Sequence, residues 1–161
     1  MKTKFLNVLL LMAFAAAAQT APQAKPLPYG EPINLATAKK IIDASRAFAM
    51  GKQWTVVIAI VDTGGNLVAL EKLDNTQIGS IDVAVGKAKT ANNFRRPTKV
   101  FEDAVASGGV GLRILALPNV YPLEGGEPII MNGKIIGAIG VSGMKATEDA
   151  EVAKAGLTVL K

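Results

Sequence analysis

The spacing of apolar residues along this chain switches between a period near 3.6 and a period near 2, and each switch marks an element. Leu35, Ala38, Ile41, Ile42, Ser45 and Phe48/Ala49 recur at helical spacing behind Asn34, a good N-cap, and Gly51 ends that helix. Thr55 to Val61 is a β-branched run, Asp62-Thr63-Gly64-Gly65-Asn66 a turn, and Leu67 to Leu73 a returning strand. Together they predict a hairpin, because glycine supplies the positive φ that tight turns need. Ser80 caps a second helix with Ile81, Ala84, Val85, Ala88 and Ala91 on one face, and Pro97 breaks it. Thr98 caps a short helix carrying Val100, Phe101, Ala104 and Val105.

Beyond a flexible joint at Ser107-Gly108-Gly109 and Gly111, Ile114 to Leu117 read as a short strand and Tyr121 to Pro128 as a loop. Ile129 to Met131 and Lys134 to Val141 flank Asn132-Gly133, the strongest two-residue hairpin signal. Thr147 caps a last helix, with Glu148, Asp149 and Glu151 in its first turn, where the helix dipole favours acids. Hairpins joined through helices predict one α/β (α+β) domain over residues 34–161, built on a mainly antiparallel sheet of about five strands flanked by helices. The regular strand-helix alternation of a parallel dinucleotide fold is missing.

The N-terminus has a different pattern. Lys2 and Lys4 precede Phe5 to Phe14, apolar apart from Asn7, and Ala15 to Ala18 follow. This is the tripartite pattern of a secretory signal peptide over residues 1–18, with Ala16-x-Ala18 as the cleavage site. The run is short of the about 20 residues a membrane span needs. An uncleaved anchor or a buried amphipathic start are the alternatives. A periplasmic or secreted location is the expectation. Pro22, Pro26, Pro28 and Pro32 make residues 19–33 an extended linker, or a tail lying over a neighbour.

Charge adds little. The full chain has 18 basic and 13 acidic residues, a formal +5; losing Lys2 and Lys4 leaves 16 against 13, or +3. No basic block is interleaved with aromatics, which argues against nucleic acid as a partner. A weakly basic surface favours a small anionic ligand. The absence of Cys and His is more informative. Disulfides, thiolate metal sites, cysteine nucleophiles and a Ser-His-Asp triad are all excluded, and the commonest general base is missing.

Several spaced blocks point to one family. They are Val61-Asp62-x-Gly64-Gly65-Asn66-Leu67-Val68, Gly79-Ser80-Ile81-Asp82-x-Ala84-x-Gly86-Lys87-Ala88-x-Thr90-Ala91, Arg96-Pro97-Thr98, Glu124-Gly125-Gly126-x-Pro128-Ile129, and Ile136-Gly137-Ala138-Ile139-Gly140-Val141-Ser142-Gly143 with Glu148-Asp149. In this order, over roughly Asn34 to Leu160, they closely resemble the GlcG/HbpS family of haem-binding or haem-degrading-like proteins. They also resemble the C-terminal domain of PduO-type corrinoid adenosyltransferases. The resemblance implies a profilin-like domain, homo-oligomers including octamers, haem as cofactor, and for exported members a membrane sensor as partner. Some members hold haem iron through a histidine, which this chain lacks; another mode uses a threonine oxygen, whose counterpart here is Thr90, Thr98 or another position.

Each candidate site residue has a plainer reading beside the functional one. Gly64 and Gly65 serve a hairpin, or their amides form an anion nest. Lys87, Arg95 and Arg96 complement a helix C-terminus, or clamp a carboxylate. Phe94 and Phe101 are core, or apolar surface for a flat macrocycle. Glu124 and Glu127, flanking Gly125 and Gly126, offer a loop contact to ligand or an oxygen-only site for a hard cation. Glu148 and Glu151 share one helix face, and complement of the helix dipole is the plainer reading there. Met50, Met131, Met144, Tyr29 and Tyr121, together with lysine and threonine side chains, are the candidates to hold haem iron without histidine, and packing is the plainer reading for each. Trp54 is an interface or core anchor.

The function expected is an exported haem or tetrapyrrole binding protein acting in sequestration, transfer or sensing. The alternatives are an enzyme acting on a small metabolite or on haem, and an oligomeric partner-binding module without ligand.

Overall fold

The computed structural model describes residues 25–160; the leader pattern at 1–18 and the first part of the Pro-rich stretch lie outside them. Helix α1 (Leu35–Gly51) comes first, capped by the Asn34 side chain, which accepts from Thr37 N at 2.8 Å. It runs through Gly51 and turns at Gln53 (φ 58°), two residues later than the glycine suggested. Strands β1 (Val57–Asp62) and β2 (Leu67–Lys72) form the first hairpin, and β3 (Gly126–Met131) and β4 (Lys134–Ser142) the second. They make one antiparallel sheet in the order β2-β1-β4-β3.

Between the hairpins lie α2 (Ser80–Phe94) and α3 (Lys99–Ala106); α4 (Ala146–Leu157) follows the second. None of the three has the hydroxyl cap expected of it. Ser80 is buried and its oxygen accepts from Gln77 Nε2 and Ser142 Oγ. Thr98 Oγ1 instead accepts from Gly126 N at 2.9 Å. In α4 the cap is Lys145, whose backbone N–H donates to the Glu148 carboxylate at 3.1 Å.

The central strand explains the layering. Side chains of successive strand residues point to opposite faces. Val57, Ala59 and Val61 pack with Ala84, Ala88, Ala91 and Ala138 beneath α2, whereas Val56, Ile58 and Ile60 pack with Ile41, Ile139, Val141 and Val152 beneath α1 and α4. A strand buried on both faces reads as a continuous apolar run, which Val56 to Val61 is. The α2 face is built from small residues because the helix backbone touches the sheet. A Cβ on Gly140 would lie 2.0 Å from Ala84 O and 2.5 Å from Ala88 N.

The sheet has four strands where about five were expected. Ile114 to Ala116 belong to a 3-10 segment, Gly109–Ala116, in which no residue is buried; only Leu117 is extended. An apolar run without a period does not separate strand from helix. Gly108 and Gly109, both at positive φ, turn the chain back onto α3, where Gly111 is in close contact with Ala104. The segment therefore meets no strand to pair with.

The end of the Pro-rich stretch joins the sheet. Gly30 N donates to Ile135 O (2.7 Å), Ile135 N to Pro28 O (2.9 Å) and Ile33 N to Ile136 O (2.8 Å). These residues occupy the lane beside β4 that β1 leaves beyond Asp62, and Ile33 enters the core.

Candidate functional site

The first hairpin turn is fixed from inside. Asp62 Oδ1 accepts from Asn66 N at 2.9 Å, and Gly65 N donates to Asp62 O at 3.0 Å. Asn92 Nδ2 on α2 donates to Thr63 O at 3.1 Å, so the turn is fastened to the last part of that helix. Opposite the turn, the chain leaving the 3-10 segment returns at Tyr121, whose backbone N–H donates to Thr90 Oγ1 at 3.0 Å. The turn, α2 and this returning segment enclose a cleft of about 600 Å³. Its lining includes Gly64, Gly65, Asn66, Lys89, Asn93 and Tyr121, with Asp82 toward the start of α2.

Gly86 shapes the floor. A Cβ there would lie 2.3 Å from two carbons of the Tyr121 ring, so the ring occupies the place of the missing side chain. The phenol oxygen makes no hydrogen bond among the described residues, while Lys89 is exposed on the next turn of the same helix. The cleft thus combines an ammonium group, several amides and a phenol, with the Asp82 carboxylate at one end. Such a set suits a ligand with carboxylate groups at its edge.

Of the residues singled out from sequence, the structure brings Gly64, Gly65 and Tyr121 to this cleft and leaves the others outside its lining. Lys87 and Thr90 lie on α2 but point into the protein. Thr90 Oγ1 donates to Gly86 O at 2.8 Å while receiving the Tyr121 amide. Lys87 is only 2% exposed, and its Nζ donates to Asp149 Oδ2 (2.8 Å) and Val141 O (3.0 Å). Its charge is spent on α4, which corrects its reading as a carboxylate clamp. Burial pushes the Asp149 carboxyl above its usual range, and the Lys87 ammonium and the Met144 N–H oppose that push.

Gly125 and Gly126 are packing glycines and not a ligand loop. A Cβ on Gly126 would lie 2.5 Å from Lys87 O and 2.6 Å from Thr98 Cγ2, and one on Gly125 would lie 2.9 Å from Asp149 Cβ. Phe94 packs edge-on against Phe101 at 5.2 Å. Arg96 lies over the Phe101 ring, and its Nε donates to Phe94 O. Arg95 is the left-handed residue that ends α2, with its guanidinium over Tyr29 at 5.6 Å. These two arginines brace the helix end.

Glu124 and Glu127 are buried beside Lys154, at 3.6 and 3.7 Å from its ammonium. Burial raises the Glu127 carboxyl, and Lys154 counteracts it. Both carboxylates face the Lys154 ammonium, which stands where the sequence reading put a cation. Elsewhere, Met50 borders a separate hollow of about 510 Å³ beside Trp54, and the Tyr29 hydroxyl donates to Asn92 O at 2.7 Å. Met131 ends β3 and Met144 precedes α4, both away from the cleft. Trp54 packs edge-on against Phe48 at 6.1 Å and joins the core.

Sequence reasoning missed Asn66, Asp82, Lys89, Asn93 and Asn119 as lining residues. Part of the signal was available: Asp82, Lys89 and Asn93 follow the polar face of α2 at spacings of seven and four, opposite its alanines. Asn119 carries no such signal, because nothing local says which way the loop returns.

The sequence model of the family described as "Haem degrading protein HbpS-like" matches residues 33–158. Protein GlcG of Escherichia coli (strain K12) is 41% identical over 105 residues, spanning 65% of this chain and 77% of GlcG. The crystal structure of a double mutant of Streptomyces reticuli HbpS has a TM-score of 0.75 at 29% identity, covering 91% of this chain and 99% of that one. The crystal structure of a PduOC:haem complex has the same fold, with a TM-score of 0.73 at 23% identity over 81% of this chain and 96% of the other.

Proposed function

We propose, since this chain belongs to the HbpS-like family of haem-degrading-type proteins, that it binds haem or a related anionic tetrapyrrole in the cleft between the first hairpin turn, α2 and Tyr121. The observation that carries this reading is the cleft itself: about 600 Å³ of space whose lining offers Lys89, Asn66 and Asn93 on one rim and the Tyr121 phenol against the α2 backbone. Lys89 and the amides suit the carboxylates at the edge of such a ligand. When bound, haem supplies a redox-active iron; the residues of this chain bind, orient and partly desolvate it. A role in binding, through sequestration, transfer or sensing, is favoured over turnover because the commonest proton shuttle, histidine, is missing from the chain.

Two further features belong to the same proposal. The leader pattern of residues 1–18 supports work outside the cytoplasm. The exposed side chains of the 3-10 segment, Val110 at 70% and Leu115 at 63%, support association of copies of this chain.

Titrating the purified mature protein with haemin tests the main reading. A saturable shift of the Soret band, weakened in Lys89→Ala, is expected. A spectrum equal to that of free haemin at every ratio overturns it. Cell fractionation tests export: the chain should appear in the periplasm or medium with a mass short of residues 1–18, and a full-length cytoplasmic product refutes the leader.

A further inference from the structure

We infer that the cleft beside α2 also receives a small acid that is hydrophilic along its whole length, a polyhydroxylated monocarboxylate of sugar-acid size. The inference goes beyond the haem reading, which asks this lining to hold only the carboxylate edge of a ligand. Val85 is the single aliphatic side chain in the lining; the others are charged, amide or phenolic, and three glycines contribute backbone alone. Sites for apolar ligands are lined mainly by apolar side chains. Here an apolar molecule would strip water from amides and charges and return no hydrogen bonds, whereas hydroxyl groups return them.

The fold settles which polar groups are left for a ligand. Asn92 Nδ2 donates to Asn93 Oδ1 at 3.1 Å, so Asn93 Nδ2 remains as a donor one helical turn beyond Lys89. Asn66 is held the other way round. Its Nδ2 lies 3.3 Å from both carboxylate oxygens of Asp62, so its Oδ1 remains as an acceptor. The turn abuts Asn93, since a Cβ on Gly65 would lie 3.2 Å from Asn93 Oδ1. Among the described residues neither the Lys89 ammonium nor the Asp82 carboxylate has an ion-pair partner, and both side chains are exposed.

Asp82 and Lys89 stand seven residues apart on α2, two turns along one face, or about 10 Å. A carboxylate belongs at Lys89 and Asn93, where an ammonium and an amide N–H meet it. Hydroxyls belong at Asn66 Oδ1 beside it and at Asp82 two turns back. Asp82 accepts from a hydroxyl and repels a second carboxylate, so the ligand carries only one.

Saturation-transfer difference NMR on the purified mature protein tests this, with gluconate, glucarate, hexanoate and glucose as probes. Gluconate should bind saturably. Hexanoate lacks the hydroxyls and glucose lacks the carboxylate, so both should bind at least about tenfold more weakly. Lys89→Ala should weaken gluconate by a similar factor. Glucarate has a carboxylate at each end; it should bind wild type less well than gluconate and draw level with it in Asp82→Asn. Equal binding of gluconate and hexanoate, gluconate binding unchanged in Lys89→Ala, or a glucarate deficit that persists in Asp82→Asn overturns the inference. Haemin binding by a protein that ignores gluconate overturns it and leaves the haem reading standing. Gluconate binding by a protein that ignores haemin supports it and overturns the haem reading.

Discussion

Lys87 Nζ lies 2.8 Å from Asp149 Oδ2, and both side chains are 2% exposed, so the middle of α2 is joined to the first turn of α4 by a buried ion pair. Each partner has a second bond: Lys87 to Val141 O at 3.0 Å, and Asp149 Oδ1 from Met144 N at 3.0 Å. Burying such a pair is close to neutral, but breaking it leaves one charge without water or counter-ion. Asp149→Ala should therefore destabilise the fold by about 3–5 kcal/mol, the usual cost of removing one partner. Lys87→Met combined with Asp149→Leu should lose less than the two single changes added together. Urea unfolding of the four proteins measures both. An Asp149→Ala cost below about 1 kcal/mol, the scale of an exposed pair, contradicts the argument.

Glu127 makes stability depend on pH in a direction opposite to the usual carboxylate. Its burial raises the carboxyl above the ordinary 4.5, against the pull of Lys154. Between 4.5 and that raised value the folded chain holds a proton that the unfolded chain has released. Stability from this group therefore falls as pH rises through the window. Glu127→Gln removes the effect. The variant should gain on wild type from just above pH 4.5, and the gap should stop growing once Glu127 is ionised in the fold. Urea melts from acid to neutral pH follow the gap; one that narrows with rising pH contradicts the assignment.

Much of the fold was legible in the sequence because local signals agree with it. Both hairpins, all four helices and the doubly buried β1 follow from period and turn chemistry. The candidate site was legible only in part. Gly64 and Gly65 reach the cleft, but Lys87 reads as a solvated charge unless its phase on α2 is weighed: it stands three residues after Ala84 and four before Ala91, on the buried face. Its partner lies 62 residues away, and no local pattern encodes that meeting. Gly125 and Gly126 look like a ligand loop for the same reason, since what they make room for is Asp149, Thr98 and the α2 backbone. The 3-10 segment was mistaken for a strand because apolarity suggests burial, and here the apolar residues face outward.

Two glycines near α2 should respond differently to the same change. Gly140→Ala puts a Cβ 2.0 Å from Ala84 O, and backbone on both sides prevents relief. It should cost about 3 kcal/mol or more, at the upper end for overpacking. Gly86→Ala meets a side chain and not backbone: it displaces the Tyr121 ring, Cγ included at 2.7 Å, and the gain of about 1 kcal/mol of alanine over glycine inside a helix offsets part of that cost. Gly86→Ala should stay folded and lose less stability than Gly140→Ala while losing haemin affinity. Thermal melts and haemin titrations on both variants separate the two effects; equal destabilisation, or unchanged binding in Gly86→Ala, counts against this account.

The 3-10 segment Gly109–Ala116 buries none of its own residues, although it carries Val110, Leu112 and Leu115 and is followed by Leu117. With Val110 70% and Leu115 63% exposed, these side chains contribute little to the stability of one protomer. Charges placed there should leave the fold within about 0.5 kcal/mol of wild type, as surface changes do. They should still abolish an interface that depends on removing this apolar surface from water. Val110→Glu with Leu115→Glu is thus expected to unfold at the wild-type urea concentration but to sediment as a smaller species. If the wild type sediments as a single protomer, or the variant sediments with it as one larger species, this segment is not the contact through which copies associate.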